Sequence, residues 1–580
     1  MKTVLCSFNA KYIHSCLAIR YLKEYARYHG HKHITLCEFS INELPAYILS
    51  ELYQQDPDVL CFSCYIWNIE LTLEICAQIH ILLPDTIIVL GGPEVSYDSV
   101  TLLKRHPYLA VIIRGEGEVS FTEVLDRLQK GQTLEGVKGI TYRQGEKIYV
   151  NEDRPLIKNL DSIPFPYEEE LSAFQDRIIY YESSRGCPFH CSYCLSSVSH
   201  GVRYFSLARV KQDLKQLAAY QVREIKFVDR TFNCNEKRAR EIMKFLIEHN
   251  THTRMHFEVD ASLLSDEMMD FLDQVPPDRF YFEIGIQSTY PPALEAVNRK
   301  GSWKQIYKNV RRLVESNRIR IHLDLIAGLP YESYEHFHRS FNQVYELQAD
   351  VIQLGFLKLL KGSPLREESS QYGYAFQPQP PYQVLKNAYM SYDDLLQLER
   401  MEDLVDRYYN RNHMPQTIIY LTRILYQGDA FKFFEDLAAY WQERRLYGRG
   451  HKLDKLYQYL YDFTLQSHPE HTEIVHDLLK YDYLCNHHKY TLPDGFQAYP
   501  DLDRNLTVML EHQEFRHLID PDEQESQRNL RKRIHLEYFQ YHPLTLREES
   551  VYILFAYPPG GHKASAHFLP PSQITPFLTY

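Results

Sequence analysis

Across the first 130 residues, short apolar runs alternate with longer stretches whose apolar residues recur close to every 3.6 positions. Thr3–Ser7, His33–Phe39, Val59–Ser63, Thr86–Leu90 and Ala110–Ile113 have the length of strands, whereas Ile69–Leu82 and Val119–Leu128 have helical period. Strands that are apolar throughout and separated by helices require a parallel sheet covered on both faces. Residues 1–130 are therefore expected to be α/β, a doubly wound parallel sheet of Rossmann-like type.

Residues 131–175 break this rhythm. GQTLEGVKGITYRQGEKIYV has the pattern of a β-hairpin, and DSIPFPYEEE that of a proline-punctuated linker. From 176 to 375 the alternation resumes. Strands are expected at Ile178–Glu182, Glu224–Val228, Met255–Val259, Phe280–Ile286, Arg320–Ile326 and Val351–Phe356, with helices such as Leu207–Ala219 and Lys304–Glu315 between them. Six βα units make a partial (β/α)6 TIM-type barrel, with chemistry expected at the C-terminal strand ends. Residues 376–580 turn to long helical periods rich in Tyr, Leu and His, with strand signal only at Val551–Ala556, before YPPGGHK. This last part is expected to be a mostly α-helical C-terminal domain. A chain of 580 residues needs several such cores.

The formal net charge of −12 gives no global attraction for nucleic acid, and no run approaches the roughly 18–20 apolar residues of a membrane span. MKTVLCSFNAKY meets Asn9 and Lys11 too early for a secretory signal, so a cytoplasmic location is expected. Eleven cysteines in a chain of this size are no disulfide framework, yet three of them fall within eight residues.

Those three, Cys187, Cys191 and Cys194, stand in YYESSRGCPFHCSYCLSS with C-x3-C-x2-C spacing, directly after the first expected barrel strand. A short loop brings three thiolates to one face, where they can bind three irons of a 4Fe–4S cubane and leave the fourth open. Zinc is the alternative, with His190 or His200 as a fourth ligand; the chain's other C-x2-C pair, Cys61 and Cys64, falls at the end of the strand signal at Val59–Ser63. EIGIQS (Glu283 to Ser288) and DLIAGLP (Asp324 to Pro330) lie at the ends of the fourth and fifth barrel strands.

Together these motifs resemble the radical S-adenosylmethionine (SAM) superfamily over residues 176–370. The resemblance implies reductive cleavage of SAM at the cluster to a 5′-deoxyadenosyl radical. It also implies SAM contacts from Tyr193, Glu258, Glu283 and Gln287, with Ile326 and Leu329 against adenine. In place of the family's Gly-Gly-Glu run the chain has FVDRTFN, where Asp229 or Asn233 would serve instead. No catalytic acid or base is singled out.

At the N-terminal strand ends stand Asn9, Ser63 and Tyr65, then GGPEVS (Gly91, Gly92, Pro93, Glu94) and RGEGE (Gly115, Glu116). Ligands of open α/β sheets bind at such ends. The two glycine runs resemble the cobalamin (B12)-binding domain that precedes the barrel in one radical SAM subclass, with these residues as its contacts. The D-x-H-x-x-G run carrying a lower histidine ligand is missing, and His14 reads as a surface or cap residue.

The combined resemblance implies a cobalamin-dependent methyltransferase. It would act on a small-molecule or peptide substrate, with an electron donor such as flavodoxin or ferredoxin. A methylthiotransferase would instead use Cys6, Cys37 and one of Cys61, Cys64 or Cys76 for a second cluster. A cofactor-binding protein without turnover is a third reading. Cys485–Asn486–His487–His488 lacks the spaced partners of a metal site.

Overall fold

The structure is a computed structural model. It describes every residue except 168–173, 175, 176, 199, 200, 221, 250, 251, 488–491, 494, 497–499, 520–524, 559–562 and 575–580. His200, His488 and the centre of YPPGGHK lie outside the described residues. Chain contacts divide the molecule into two units. The first comprises 1–340, 347–350 and 354–395, and the second 341–346, 351–353 and 396–580.

In the first unit, β1 (Thr3–Asn9), β2 (Ile34–Ser40), β3 (Val59–Ser63), β4 (Ile87–Gly91) and β5 (Leu109–Ile113) pair in parallel in the order β2-β1-β3-β4-β5. β1 is buried along its whole length, which is what an all-apolar strand between two helical layers requires. One face packs Val4, Phe8, Leu60 and Ile88, and the other packs Leu5, Val59, Val89 and Phe121. The hairpin forms as expected, as β6 (Ile140–Gln144) and β7 (Lys147–Val150). It is not a free-standing connector: β6 pairs antiparallel with β5, extending the sheet to seven strands.

A second, six-stranded sheet has the order β15-β14-β13-β12-β11-β8. Its strands are β8 (Ile178–Tyr181), β11 (Glu224–Phe227), β12 (Arg254–Glu258), β13 (Phe280–Gln287), β14 (Arg320–Ala327) and β15 (Val351–Phe356). Between β8 and β11 the chain inserts a two-residue antiparallel pair, β9 (Ser184–Arg185) with β10 (Arg203–Tyr204), which brackets the cysteine loop. Sequential strands are neighbours throughout and helices occupy the gaps, as a partial barrel demands.

The second unit is mainly helical, including Ala430–Glu443, Leu453–Ser467 and Thr472–Asn486. It ends in a three-stranded antiparallel sheet formed by Ile534–Tyr541, Glu548–Ala556 and Ser565–Leu569, of which the sequence marks only the central strand.

Among the described residues no helix is long and apolar enough to cross a membrane.

Candidate active site

Two cavities open at the C-terminal strand ends of the first unit. The smaller, about 240 Å³, is walled by Cys187, Cys191, Cys194 and Tyr193 on one side and by Glu258, Glu283, Gln287 and Asp324 on the other. The larger, about 1060 Å³, takes Asn9 from the end of β1, Ser63 and Tyr65 from β3, Gly91 and Gly92 from β4, and Gly115 and Glu116 after β5. Arg230 and Ser196 belong to both walls.

The cysteine loop is held from below by Asp229. Its Oδ2 accepts from Ser183 N (2.9 Å), and its Oδ1 accepts from the hydroxyls of Ser183 and Ser184 (2.6 Å each). Burial pushes the Asp229 carboxyl upward in pKa, and these three donors oppose it. The loop is further pinned by Ser192 N to Val297 O (3.0 Å) and by a turn from Cys194 N to Cys191 O (3.0 Å).

Arg299 supplies the positive charge. Its Nη1 lies 4.0 Å from Cys191 Sγ, and it also donates to Gly285 O. Burial raises the Cys191 thiol and the Arg299 guanidinium counters it, favouring thiolate. Three cysteines on one cavity wall beside a buried guanidinium fit an anionic cluster. Among the described residues no three His, Cys, Asp or Glu side chains meet at one ion. Three thiolates on three separate irons of a cubane share no such point.

At the opposite wall β13 carries a register shift between Gly285 and Gln287, and Gln287 has φ +72°. A bulge of this kind re-aims a side chain, and a non-glycine residue there is strained. The Gln287 amide folds back over Gly285, where a Cβ would stand 2.1 Å from Nε2 and would displace the amide from this position. Gln287 Oε1 is buried without a hydrogen-bond partner, an acceptor left open on the cavity wall, as a polar ligand such as SAM would require.

Glu283 is already engaged, by Lys226 Nζ and His256 Nε2 at 2.8 Å each. Burial works against its ionisation, but these partners outweigh burial and hold the carboxyl well below its usual range. Glu258 behaves oppositely: burial pushes it up to about 7, with Arg230 opposing.

In the larger cavity Gly92 has φ +111°, and a Cβ there would stand 2.5 Å from Cys64 O. The turn therefore accepts only glycine and brings bare backbone to the cavity wall. Tyr65 stacks on Trp67 (centroids 4.3 Å apart, 5° between planes), and the loop carrying them is tied by Asn68 Nδ2 to Phe8 O (3.1 Å) and Ser63 O (3.0 Å). This flat aromatic face, the glycine backbone and the volume fit a corrin-sized ligand. Farther round, Arg185 bonds Glu118 (2.5 Å) and Glu182 (2.9 Å), while Arg203 bonds Glu116 (2.6 Å).

The structure sets several of the residues expected at the site away from both cavity walls. Asp229 and Asn233 line neither cavity; Asp229 holds the cysteine loop and Asn233 bridges to the Asp260 backbone at 2.8 and 2.9 Å. Ile326 and Leu329 are also absent from both walls, and Leu329 is fully buried. Pro93 and Glu94 face away from the larger cavity because Glu94 pairs with Lys361 (2.8 Å) and accepts from the Tyr382 hydroxyl. Asn9 reaches the wall with its amide committed to His14 O (3.0 Å) and Glu38 Oε1 (3.2 Å). His14, read as a surface or cap residue, instead lines the larger cavity, its Nδ1 paired with the Tyr180 hydroxyl at 2.6 Å.

The sequence reading singled out none of Arg230, Arg299, Arg185 and Arg203: Arg185 and Arg230 stand inside the quoted cysteine and FVDRTFN runs without a role, and Arg203 and Arg299 lie outside any motif. The cysteines considered for a second cluster lie in apolar cores. Cys6, Cys64 and Cys76 pack in one and Cys61 in the other, while the partly buried Cys37 packs against the first; burial raises all five thiols.

Family profiles match three segments: "B12 binding domain" over 5–125, "Radical SAM superfamily" over 181–344 and "Protein of unknown function (DUF4080)" over 370–555. The chain is 29% identical over 290 residues to "Uncharacterized methyltransferase PH0819" of Pyrococcus horikoshii, covering 48% of this chain and 62% of that protein. It is 26% identical to the "Cobalamin-dependent radical SAM methyltransferase TokK" of Streptomyces tokunonensis, covering 56% of this chain and 51% of that one. The match thus spans about half to three-fifths of these relatives' length. The fold is similar to that of OxsB, a cobalamin-dependent S-adenosylmethionine radical enzyme solved with aqua-cobalamin and S-adenosylmethionine bound. That likeness has a TM-score of 0.59 at 16% identity, over 83% of this chain and 79% of that one.

Proposed function

We propose that this chain, in which a B12 binding domain precedes a radical SAM domain, is a cobalamin-dependent radical SAM enzyme that transfers a methyl group to substrate carbon. The observation that carries this reading is the meeting of the two cavities at Arg230 and Ser196. One is walled by three cysteines and the other is a corrin-sized crevice at parallel strand ends, so two cofactors can be held within reach of one substrate. The reading is supported by the relatives named as methyltransferases and by the fold shared with OxsB.

When bound, the cluster with SAM and the cobalamin supply one-electron cleavage of a sulfur–carbon bond and a transferable methyl group. The chain does the rest. Cys187, Cys191 and Cys194 hold the cluster, and Arg299 offsets its negative charge. Gln287, Glu258 and Tyr193 face SAM, and the fixed negative charge of Glu283 lies alongside them. Gly91, Gly92, Gly115, Ser63 and Tyr65 present backbone and a flat face to the corrin. An electron donor of flavodoxin or ferredoxin type in the cytoplasm is the fitting reductant, because cleavage of SAM at the cluster would consume one electron at a time.

The test is 5′-deoxyadenosine formation from SAM by anaerobically reconstituted protein with dithionite. Wild type forms it, and Cys191→Ala forms none. Equal formation by both would overturn the assignment.

A further inference from the structure

Of the residues that wall both cavities, Arg230 carries the charge. It follows Asp229 at the end of β11, and its side chain is exposed to the cavities. No hydrogen bond or ion pair reaches it among the described residues. The carboxylates around it have other partners. Asp229 is consumed by Ser183 and Ser184, Glu283 by Lys226 and His256, Asp260 by Ser262 (2.6 Å) and Asp324 by His322 (3.1 Å). Glu258 forms no ion pair with Arg230; burial pushes its carboxyl up to about 7 against the pull of that guanidinium.

We propose that Arg230 anchors an anionic group of the substrate at the junction of the two cavities, so the substrate class is a carboxylate- or phosphate-bearing small molecule. This rests on the methyl-transfer reading, because only there must a substrate lie between both cofactors. A substrate closing the junction strips water from the guanidinium. A neutral ligand leaves a buried, unpaired cation, whereas a carboxylate or phosphate accepts the planar fork in two parallel bonds. The anionic group therefore lies near the carbon that reacts, since the same residue borders both cofactor cavities.

The experiment uses holoenzyme reconstituted with iron, sulfide and hydroxocobalamin, as wild type, Arg230→Met and Arg230→Lys. The probe is SAM tritiated in its methyl group. It is supplied with the small-molecule extract of the producing cells, divided by ion exchange into anionic, neutral and cationic pools.

Label is expected in the anionic pool. It should fall at least about tenfold in Arg230→Met and recover in part in Arg230→Lys, while cobalt content and SAM affinity stay within about twofold of wild type. Label confined to the neutral or cationic pool overturns the proposal. So does an undiminished anionic product in Arg230→Met. A tenfold or greater loss of SAM affinity in that variant assigns Arg230 to SAM and overturns it equally. 5′-Deoxyadenosine without label in any pool sinks the methyl-transfer reading itself, a failure distinguishable from the others.

Discussion

Arg299 Nη1 stands 4.0 Å from Cys191 Sγ, and the same guanidinium donates to Gly285 O, so one side chain joins the cysteine loop to the bulged end of β13. A positive charge at this distance favours the reduced, more negative state of a cluster. Arg299→Met should shift the cluster potential downward, on the order of tens of millivolts, with Arg299→Lys in between. An EPR-monitored redox titration measures this, and an unchanged potential in Arg299→Met would refute the role.

Asp229 makes its contribution without touching either cavity. Asp229→Ala leaves Ser183 N and two serine hydroxyls without their buried acceptor, costing about 2–4 kcal/mol. Iron content should fall because the loop loses its support. Denaturant melts of the apoprotein and iron analysis of the reconstituted protein check the two halves separately. Full iron retention would show that the cysteine loop does not depend on this anchor.

Gly92 and Gly115 both have positive φ, yet they should respond differently. At Gly92 a Cβ meets Cys64 O at 2.5 Å, whereas at Gly115 nothing lies within 4 Å. Gly92→Ala should cost about 2–4 kcal/mol and most of the bound cobalamin, and Gly115→Ala about 1 kcal/mol with cobalamin retained. Cobalt analysis and thermal melts read both. Equal behaviour of the two variants would mean that the Gly92 turn is not what shapes the wall.

Glu182, in the larger cavity, is pushed up to about 7 by burial against the pull of Arg185. Its folded-state pKa is raised above the unfolded value of 4.5, so the folded protein binds this proton more tightly. The resulting stability is fully present below about pH 4.5 and is lost as pH rises to about 7. Glu182→Gln removes the loss. Melts of the apoprotein at pH 5 and pH 8 should show the variant gaining on wild type by up to about 2 kcal/mol at the higher pH. A gap that does not widen with pH would place the Glu182 titration elsewhere.

How much of this could be read from the chain depends on how far apart the determinants lie. The barrel strands fall within one residue of their expected bounds because period and turn residues are local signals. The hairpin over 140–150 is equally local, but its pairing onto β5 is chosen by tertiary packing and left no mark. The cysteine spacing is visible because all three residues share one loop. Arg299 is 108 residues from Cys191 and belongs to no pattern, so its approach to the sulfur could only be seen in three dimensions. Glu94 sits beside a glycine pair that does face the cavity. Its own direction is set by Lys361, 267 residues away, a contact that no local pattern announces.

The most direct test of the central claim, that one unit holds both cofactors, is metal content after anaerobic reconstitution with iron, sulfide and hydroxocobalamin. About four irons and about one cobalt per chain are expected, the cobalt persisting in Cys191→Ala and the iron in Gly92→Ala. Near eight irons with no cobalt would contradict the account and favour a second cluster in the N-terminal domain.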